Sequence, residues 1–350
     1  MGFHSRQMIL HVLVLWICAV LSTDAQNNQV AKPGCQSRCG NFSISYPFGI
    51  GKQGCYRDEG FEILCKSSEA DKSIEAPFLG ISDIEIVEIS LLDLVRVRGP
   101  VTSNCYSNIS LEEGRGRGRF NKMFNLSASP FTISDSHNKL FAVGCDVFSY
   151  ISDPTIEQYI SGCASLCPNN SDHHVDLLNG SCFGIGCCQT TIPKGFKMIN
   201  LSVDSINRRT QLAGDSDFNR CSFAALLDYD PNNLNSNASS LVKALNHTIR
   251  TSTVTLDWAI GNTSCQNLST GDECGSNSNC EDSITGFGYH CRCLRGFEGN
   301  PYLGCQDIDE CKLDKCPKGA QCFNSEGGYE CKRPPGYLPD TSEACFPGTF

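Results

Sequence analysis

The sequence lacks a long apolar run anywhere beyond its N-terminus. After residue 25 no stretch of 18 or more apolar residues occurs, whereas a membrane-spanning helix needs about 20 of them. We therefore expect no transmembrane helix and no stop-transfer signal in the rest of this chain. Attachment to a membrane would require a longer product.

Local signatures of catalysis are missing as well. The chain contains no G-x-S-x-G, H-E-x-x-H or phosphate-loop pattern, which are common signatures of hydrolases, zinc proteases and nucleotide-binding enzymes. Histidine is scarce, at 7 residues. The adjacent pair His173 and His174 lies in a polar stretch and is expected in a solvated loop. We predict that the protein is not an enzyme.

An excess of positive charge is also absent. The chain has 28 Lys and Arg against 38 Asp and Glu, so its formal net charge is -10. A net negative field repels polyanions, and we expect no nucleic-acid partner. Because salt screens charges beyond about 8 Å, a local basic patch can still bind an anionic ligand.

Cysteine, in contrast, is abundant, at 24 residues. The apolar run at residues 8–21 follows His4 and Arg6 and precedes a small-residue site ending at Ala25, a pattern typical of a cleaved secretory signal peptide. Cys18 would leave with this peptide, so 24 - 1 = 23 cysteines would remain. In an oxidising compartment an odd number leaves one cysteine unpaired within the chain.

Potential N-glycosylation sites support export of the chain. Ten N-x-[ST] sequons lie between residues 41 and 269, and such sequons mark surface positions of secreted proteins. We predict a secreted, extracellular glycoprotein carrying glycans at Asn41, Asn108, Asn125, Asn169, Asn179, Asn200, Asn237, Asn246, Asn262 and Asn267.

The cysteines divide the chain into three blocks. Six lie between residues 35 and 145, six between 163 and 221, and eleven between 265 and 345. The first two blocks are spaced widely enough for hydrophobic cores, whereas the last can only form small modules held by disulfides. Cys187 and Cys188 are adjacent, so each is expected to pair elsewhere.

Hydrophobic periodicity predicts a mainly β protein. Residues 81–99 are rich in β-branched side chains that alternate with charged ones, and 140–148 and 252–260 are further strand candidates. Residues 237–249 have apolar side chains at helical spacing. We predict a disulfide-rich, multidomain fold with a β-rich N-terminal head, a β-rich middle domain with a minor helix, and two small modules.

The last cysteine block resembles a pair of epidermal growth factor-like (EGF-like) modules. Its first six cysteines are separated by 8, 5, 10, 1 and 11 residues and include the pattern C-x-C-x-x-G-F. Spacing alone leaves 15 pairings open. The resemblance implies the pairs Cys265-Cys280, Cys274-Cys291 and Cys293-Cys305, and in the second module Cys311-Cys322 and Cys316-Cys331.

The second module resembles the calcium-binding variant of this family. It begins with DIDEC at residues 307–311 and carries CFNSEGGYEC at residues 322–331. Calcium prefers six to eight oxygen ligands, which carboxylates, amides and carbonyls supply together. The resemblance implies one calcium ion as cofactor, with ligands at Asp307, Ile308, Glu310, Asn324, Ser325 and Gly328.

The second module departs from the family at one cysteine. Arg333 stands where the fifth cysteine is expected, with 11 residues between it and Cys345, just as 11 residues separate Cys293 from Cys305. We expect Cys345 to be the unpaired cysteine of the mature chain. Such a thiol favours capping by a small thiol or a disulfide-linked dimer.

The N-terminal block resembles the galacturonan-binding domain of plant wall-associated receptor kinases. The stretch GCQSRCGNFSISYPFGIGKQGC at residues 34–55 carries this resemblance, and GSCFGIGCCQTTIP (180–193) and LDWAIGNTSC (256–265) resemble the middle region of the same ectodomains. The resemblance implies a signal peptide, a galacturonan-binding-type domain, a middle domain and two EGF-like modules, at residues 1–25, 26–148, 149–260, 261–305 and 306–350.

The resemblance implies recognition of pectin, a polymer of galacturonic acid, in the plant cell wall. The glycine-rich stretch GRGRGRF at 114–120 lacks the further motifs of a kinase, so we expect a kinase-less ectodomain. The alternative is a decoy or co-receptor glycoprotein whose partner is a receptor kinase or another wall glycoprotein, without direct pectin binding.

Basic side chains are the candidates for binding galacturonate, because an arginine can hold a carboxylate through two hydrogen bonds. Aromatic rings at Tyr46, Phe48 and Tyr56 could either stack on sugars or form core. The basic candidates are Arg38, Arg57, Arg115, Arg117, Arg119 and Lys122, with Lys52, Arg96 and Arg98 as further members of the same set.

Overall fold

The computed structural model describes residues 30–68, 71–105, 122–155, 158–166, 182, 184–206, 221–229, 251–268, 274–313, 315–317 and 320–332. Within these residues the regular structure consists of 22 strands and three short 3-10 helices. The strand-rich fold class is therefore confirmed. The predicted helix at 237–249 lies outside the described residues.

The first 16 strands build the head and middle regions. They are β1 Arg38–Cys39, β2 Phe42–Ser43, β3 Gly49–Ile50, β4 Glu62–Ser67, β5 Glu75–Leu79, β6 Ile84–Ile89, β7 Leu94–Cys105, β8 Lys122–Asn125, β9 Phe131–Ile133, β10 Asn138–Val143, β11 Val147–Asp153, β12 Gln158–Ser165, β13 Cys187–Thr191, β14 Met198–Ser205, β15 Cys221–Asp228 and β16 Thr251–Trp258.

Six further strands form three two-stranded ribbons in the EGF-like modules. They are β17 Ser278–Asp282, β18 Tyr289–Cys293, β19 Phe297–Asn300, β20 Gly304–Asp307, β21 Gln321–Ser325 and β22 Gly328–Lys332. Short 3-10 helices occupy Glu59–Phe61, Cys265–Asn267 and Glu310–Leu313.

A ten-stranded sheet dominates the larger part of the fold. Its strand order is β13-β10-β15-β7-β6-β5-β4-β3, and β16 adds to β7 and to β9. The long strand β7 pairs with different strands along its length. Residues 94–100 pair with β16, and residues 101–105 pair with β15. Strands β7 and β10, which precede the predicted boundary at 148/149, thus share one sheet with β15 and β16, which follow it.

A second sheet of four strands, in the order β12-β11-β14-β8, packs on the same core. The chain passes from the first sheet to the second between β10 and β11, where Gly144 has φ +144° and Asp146 has φ +52°. The predicted strand at 140–148 is therefore two strands in two sheets, separated by a turn. This turn needs positive backbone angles, which end a strand.

Nine disulfides are defined among the described residues. In the head and middle regions they join Cys35 to Cys55, Cys39 to Cys65, Cys163 to Cys188 and Cys182 to Cys187, so the adjacent cysteines have separate partners, as expected. The modules contain Cys265-Cys280, Cys274-Cys291, Cys293-Cys305, Cys311-Cys322 and Cys316-Cys331, which are the pairs that the family resemblance implies.

The core of the head is an aromatic cluster around Trp258, which is 1% exposed. The ring centroids of Phe48 and Phe61 lie 5.2 and 5.6 Å from that of Trp258, in edge-to-face orientation, and Phe131 lies 6.3 Å from Phe48. The indole nitrogen of Trp258 donates to the carbonyl of Ser90. Edge-to-face packing of this kind adds to the stabilisation from burial alone.

The same tryptophan extends the core into the first EGF-like module. His290 and Tyr302 of this module are both buried and lie 4.8 and 6.1 Å from Trp258, centroid to centroid. Ile260 and Tyr289 exchange two backbone hydrogen bonds of 2.9 and 3.1 Å. The module is therefore packed onto the head through buried side chains.

Burial of His290 in this contact predicts a pH-dependent stability. Desolvation lowers the pKa of its imidazole below the usual 6.5, and Arg292 lowers it further, while the Trp258 backbone, Asp93 and Glu281 act in the opposite direction. The ring atom Nε2 is buried without a hydrogen-bond partner. The unfolded chain therefore binds the proton more readily than the folded one as the pH falls through about 6.5.

We expect the free energy of unfolding to fall between about pH 7 and pH 5 in the wild type, and to fall less in His290→Phe, which keeps a ring against Trp258. Thermal unfolding across this pH range measures the difference. His137→Gln, a histidine of the head outside this contact, serves as the control and should follow the wild type. Parallel curves for wild type and His290→Phe would contradict the assignment.

Candidate functional site

The segment at residues 30–57, which we call the cationic lobe, contains no Asp or Glu although the chain is acidic overall. Two of its turns are closed by hydrogen bonds from Cys35 N to the Lys32 carbonyl and from Cys55 N to the Lys52 carbonyl, of 3.0 and 3.1 Å. The disulfide Cys35-Cys55 joins these two turns. The turns that contain Lys32 and Lys52 are thereby covalently linked.

Three cations of the cationic lobe form no ion pair within the described residues. The Lys32 ammonium lies 4.3 Å from the centroid of the Tyr46 ring, a favourable cation–π distance. Arg38 is exposed and donates a 3.2 Å hydrogen bond to the carbonyl of Asn41, and Lys52 is exposed. Lys32 is absent from the sequence-based candidates; the lack of nearby acidic residues is the signal that could have identified it.

The other described arginine candidates already have partners. Arg57 donates to the hydroxyl of Tyr289 at 2.9 Å, which links the cationic lobe to the first EGF-like module. Arg96 and Arg98 lie on β7 and meet carboxylates on neighbouring strands. We therefore assign these side chains to the stabilisation of the fold.

Arg96 is paired with two carboxylates at once. Its guanidinium contacts Glu88 at 2.6 Å and Asp228 at 2.8 Å. The hydrogen bond to Glu88 raises the pKa of Arg96, burial opposes it, and the charge of Asp228 adds to the increase. Arg98 contacts Glu85, whose side chain is only 6% exposed, at 3.2 Å.

The remaining basic candidates fall on parts of the chain that are not described. Arg115, Arg117 and Arg119 lie in the undescribed segment 106–121, and Lys122 begins β8 without a described side chain. Arg333 and Cys345 also lie outside the described residues.

The aromatic residues of the cationic lobe belong to the core. Tyr46, Phe48 and Tyr56 are 7, 0 and 9% exposed. Phe48 packs edge-to-face on Phe61, with centroids 5.4 Å apart. Of the two alternatives for these rings, core packing is the one found.

Two of the predicted calcium ligands, Asp307 and Asn324, are in contact at the joint between the two EGF-like modules. Asp307, at the end of β20, accepts hydrogen bonds from the Asn324 amide at 2.7 Å and from the Gly327 backbone at 2.6 Å. Ser325 and Gly328 are paired across the β21–β22 ribbon. Asp307 and Asn324 are thus neighbours although 17 residues separate them.

Two carboxylate oxygens close to this joint in sequence, Oδ1 of Asp309 and Oε2 of Glu310, are buried and have no hydrogen-bond partner among the described residues. A buried carboxylate oxygen without a partner is costly, and a bound cation would satisfy it. Within the described residues no group of three or more His, Cys, Asp or Glu gathers as a metal site. The ligand set predicted from the sequence is mixed instead, with carboxylates, one amide and backbone carbonyls, which are the ligand types that calcium prefers.

The two modules touch through a pair of glycines next to these donors. Gly296, at φ +84°, lies so close to Gly327 that a Cβ atom on it would sit 2.3 Å from the Gly327 carbonyl oxygen. The backbone N–H of Ile308 donates to the Gly296 carbonyl at 2.9 Å. The joint therefore depends on the small size of Gly296.

Five of the ten sequons have described asparagines. Asn41, Asn125, Asn262 and Asn267 are exposed, and Asn200 is half-buried on β14. Their positions are compatible with surface glycans. Asn108, Asn169, Asn179, Asn237 and Asn246 lie outside the described residues. Among the described residues no helix is long and apolar enough to span a membrane.

Comparisons with known proteins match two regions of the chain to families. Residues 35–98 match the wall-associated receptor kinase galacturonan-binding family. Residues 307–345 match the calcium-binding EGF domain family. The first match covers most of the cationic lobe and the second covers the joint described above.

Similarity to individual proteins extends over most of the chain. Wall-associated receptor kinases 2, 1 and 3 of Arabidopsis thaliana are 33, 34 and 35% identical over 326, 325 and 328 residues, and each alignment covers 89% of this chain. The chain spans only about 40% of the length of these relatives. The resemblance predicted from the sequence is confirmed.

The glycine contact predicts a substitution that loosens the joint between the modules. Gly296→Ala would place a methyl group against the Gly327 carbonyl, so we expect faster hydrogen exchange of the Ile308 amide and faster proteolysis near residue 306. Gly286→Ala is a matched control, because Gly286 has a similar φ of +86° with no atom within 4 Å of a Cβ. Equal effects of both substitutions would mean that backbone strain alone, and not module contact, is responsible.

Proposed function

Since the chain is homologous to the ectodomain region of the wall-associated receptor kinases, we propose that it binds de-esterified galacturonan through its cationic lobe. The observation that carries this proposal is a set of three cations, Lys32, Arg38 and Lys52, that have no carboxylate partner in the described part of the chain and lie in a segment that lacks acidic residues. The role is recognition, without catalysis, in the extracellular space of the cell wall.

The chemistry of the ligand fits these side chains. Each galacturonate unit carries a carboxylate, which Arg38 can bind through two parallel hydrogen bonds and which Lys32 and Lys52 attract as point charges. The disulfide Cys35-Cys55 and the turn hydrogen bonds hold the backbone of these residues. Preorganised cations lose less conformational entropy on binding, and screening limits repulsion by distant acidic residues.

A second set of cations belongs to the same proposal. Arg115, Arg117, Arg119 and Lys122 form a basic cluster in the sequence, and Arg57 completes the original candidates. Because Arg57 is bonded to Tyr289, we assign it a structural role between lobe and module. The arginine-rich segment remains a candidate second contact for a long polymer, and a receptor kinase or another wall glycoprotein remains a candidate protein partner.

Calcium is the proposed cofactor of the joint between the modules. Asp307, Glu310 and Asn324 would supply side-chain oxygens, and Ile308, Ser325 and Gly328 would supply carbonyls. The buried oxygens of Asp309 and Glu310 that lack partners support a cation at this place. The ion would add charge neutralisation and crosslink β20 to the β21–β22 ribbon, so that the second module keeps one orientation.

Replacing the three unpaired cations tests the polysaccharide site. In the full chain, Lys32→Gln, Arg38→Gln and Lys52→Gln combined should lower affinity for a de-esterified oligogalacturonide about ten- to hundredfold, because each exposed charge contact contributes up to about 1 kcal/mol. The salt dependence of binding should also become shallower. Calorimetric titration at several salt concentrations, with and without calcium, measures both effects.

Lys72→Gln is the control for this experiment, since Lys72 is an exposed cation of the head outside the cationic lobe. A parallel variant with Arg115, Arg117 and Arg119 replaced by Gln tests the second set. If the variant of the cationic lobe keeps its affinity and the variant of Arg115, Arg117 and Arg119 loses affinity, the binding site would be assigned to residues 115–119. No binding by the wild type would favour a protein partner instead.

Removal of a calcium ligand should loosen the second module. Asp307→Asn and Asn324→Ala should each lower calcium affinity in the full chain by about tenfold or more, because the first removes a negative charge and the second a coordinating oxygen. Proteolysis near residue 306 in saturating calcium should then increase. Glu298→Gln, an exposed carboxylate of the first module, should titrate like the wild type, and identical titrations for all variants would remove this site.

A further inference from the structure

One buried side chain of the first EGF-like module is bonded to the cationic lobe. Asn300, at the end of β19, is 6% exposed. Its amide nitrogen donates to the carbonyl of Tyr46 at 2.8 Å and to that of Val30 at 3.2 Å. The two acceptors lie more than 250 residues away in the sequence. A single amide group thus ties two points of the lobe to the module.

Both ends of the Asn300 amide form hydrogen bonds. Its amide oxygen accepts from the backbone N–H of Tyr302 at 3.0 Å, so both the donor and the acceptor ends of the amide are engaged. The Val30 carbonyl also accepts from the Tyr46 N–H at 2.8 Å. Val30, Tyr46 and Asn300 therefore form one network, in which loss of the amide would take the donor from the Tyr46 carbonyl and leave the Val30 carbonyl with the Tyr46 N–H alone.

This network lies directly below one of the unpaired cations. Lys32 follows Val30 by two residues, and its ammonium rests on the ring of Tyr46. Asn300 therefore holds the backbone two residues before Lys32 and the backbone of the residue whose ring Lys32 contacts. Arg57, bonded to Tyr289, is a second link between the same two parts.

We infer that Asn300 is a positioning residue for recognition of anionic sugars: the first EGF-like module sets the place of Lys32 in the cationic lobe. This inference rests on the proposed function. The module takes part in recognition without contacting the sugar, because its amide fixes the lobe in the arrangement that binds carboxylates. The lobe and the first module consequently work as one unit.

A double-mutant cycle with Lys32 tests this role. Asn300→Asp replaces the donor by an oxygen that faces two carbonyls, and we expect affinity for a de-esterified oligogalacturonide to fall about tenfold in the full chain. In a Lys32→Gln background the same substitution should cost less than about twofold, because the group it positions is already gone. Asn279→Asp places the same charge at an exposed position of this module and should leave affinity unchanged.

Hydrogen exchange supplies a readout that does not depend on sugar binding. The Tyr46 amide should exchange faster in Asn300→Asp than in the wild type, while calcium titration of the second module stays the same and shows that the modules are folded. Should Asn300→Asp fail to fold, Asn300→Ser, which is uncharged and keeps one donor, should show a smaller change in the same direction.

Equal losses of affinity in both Lys32 backgrounds would overturn the inference, and so would unchanged affinity in Asn300→Asp. If the wild type binds no oligogalacturonide, the proposed function fails. In that case, faster hydrogen exchange of the Tyr46 amide in Asn300→Asp would still support positioning of the lobe by Asn300. Unchanged exchange would overturn it.

Discussion

The burial of Trp258 is the constraint on which the rest of the structure depends. This residue ends β16, the strand that pairs with β7 of the large sheet, and its ring joins the aromatic core of the head to His290 and Tyr302 of the first EGF-like module. A smaller side chain would leave a cavity at the meeting point of both parts, and large-to-small changes of buried aromatics typically cost about 3 to 5 kcal/mol. Sheet, core and module are thus stabilised together.

The parts of the fold that could be predicted depend on local patterns. Along β7, Val95 and Val97 are buried whereas Arg96 and Arg98 reach neighbouring carboxylates, so a period of two in the sequence indicates the strand and its wet face. The sharing of one sheet by residues before and after position 148 could not be predicted, because strand pairing over more than 100 residues leaves no local pattern. Likewise, an apolar run that crosses Gly144 does not reveal that the chain changes sheets there.

The candidate site shows the same division. The cysteine and acidic motifs of the second module indicate the calcium joint because each lies within a short stretch. The availability of a cation could not be predicted, since it depends on partners that are distant in sequence: Arg57 meets Tyr289 over 232 residues and Arg96 meets Asp228 over 132 residues. Lys32 has no such partner among the described residues, and the only sign of this in the sequence is the absence of Asp and Glu from residues 30–57.

The β19–β20 ribbon has a mechanical consequence. At one end Asn300 is bonded to the head, and at the other Phe297 pairs with Asp307 at the joint with the second module. Four residue pairs make this ribbon about 10 Å long at the usual rise per residue. A pulling force applied to the second module would therefore travel along a short, doubly hydrogen-bonded path and load the Asn300 contacts with Val30 and Tyr46. Tension from the C-terminal side would thus be shared between the base of the lobe and Trp258 of the large sheet, which contacts the same module.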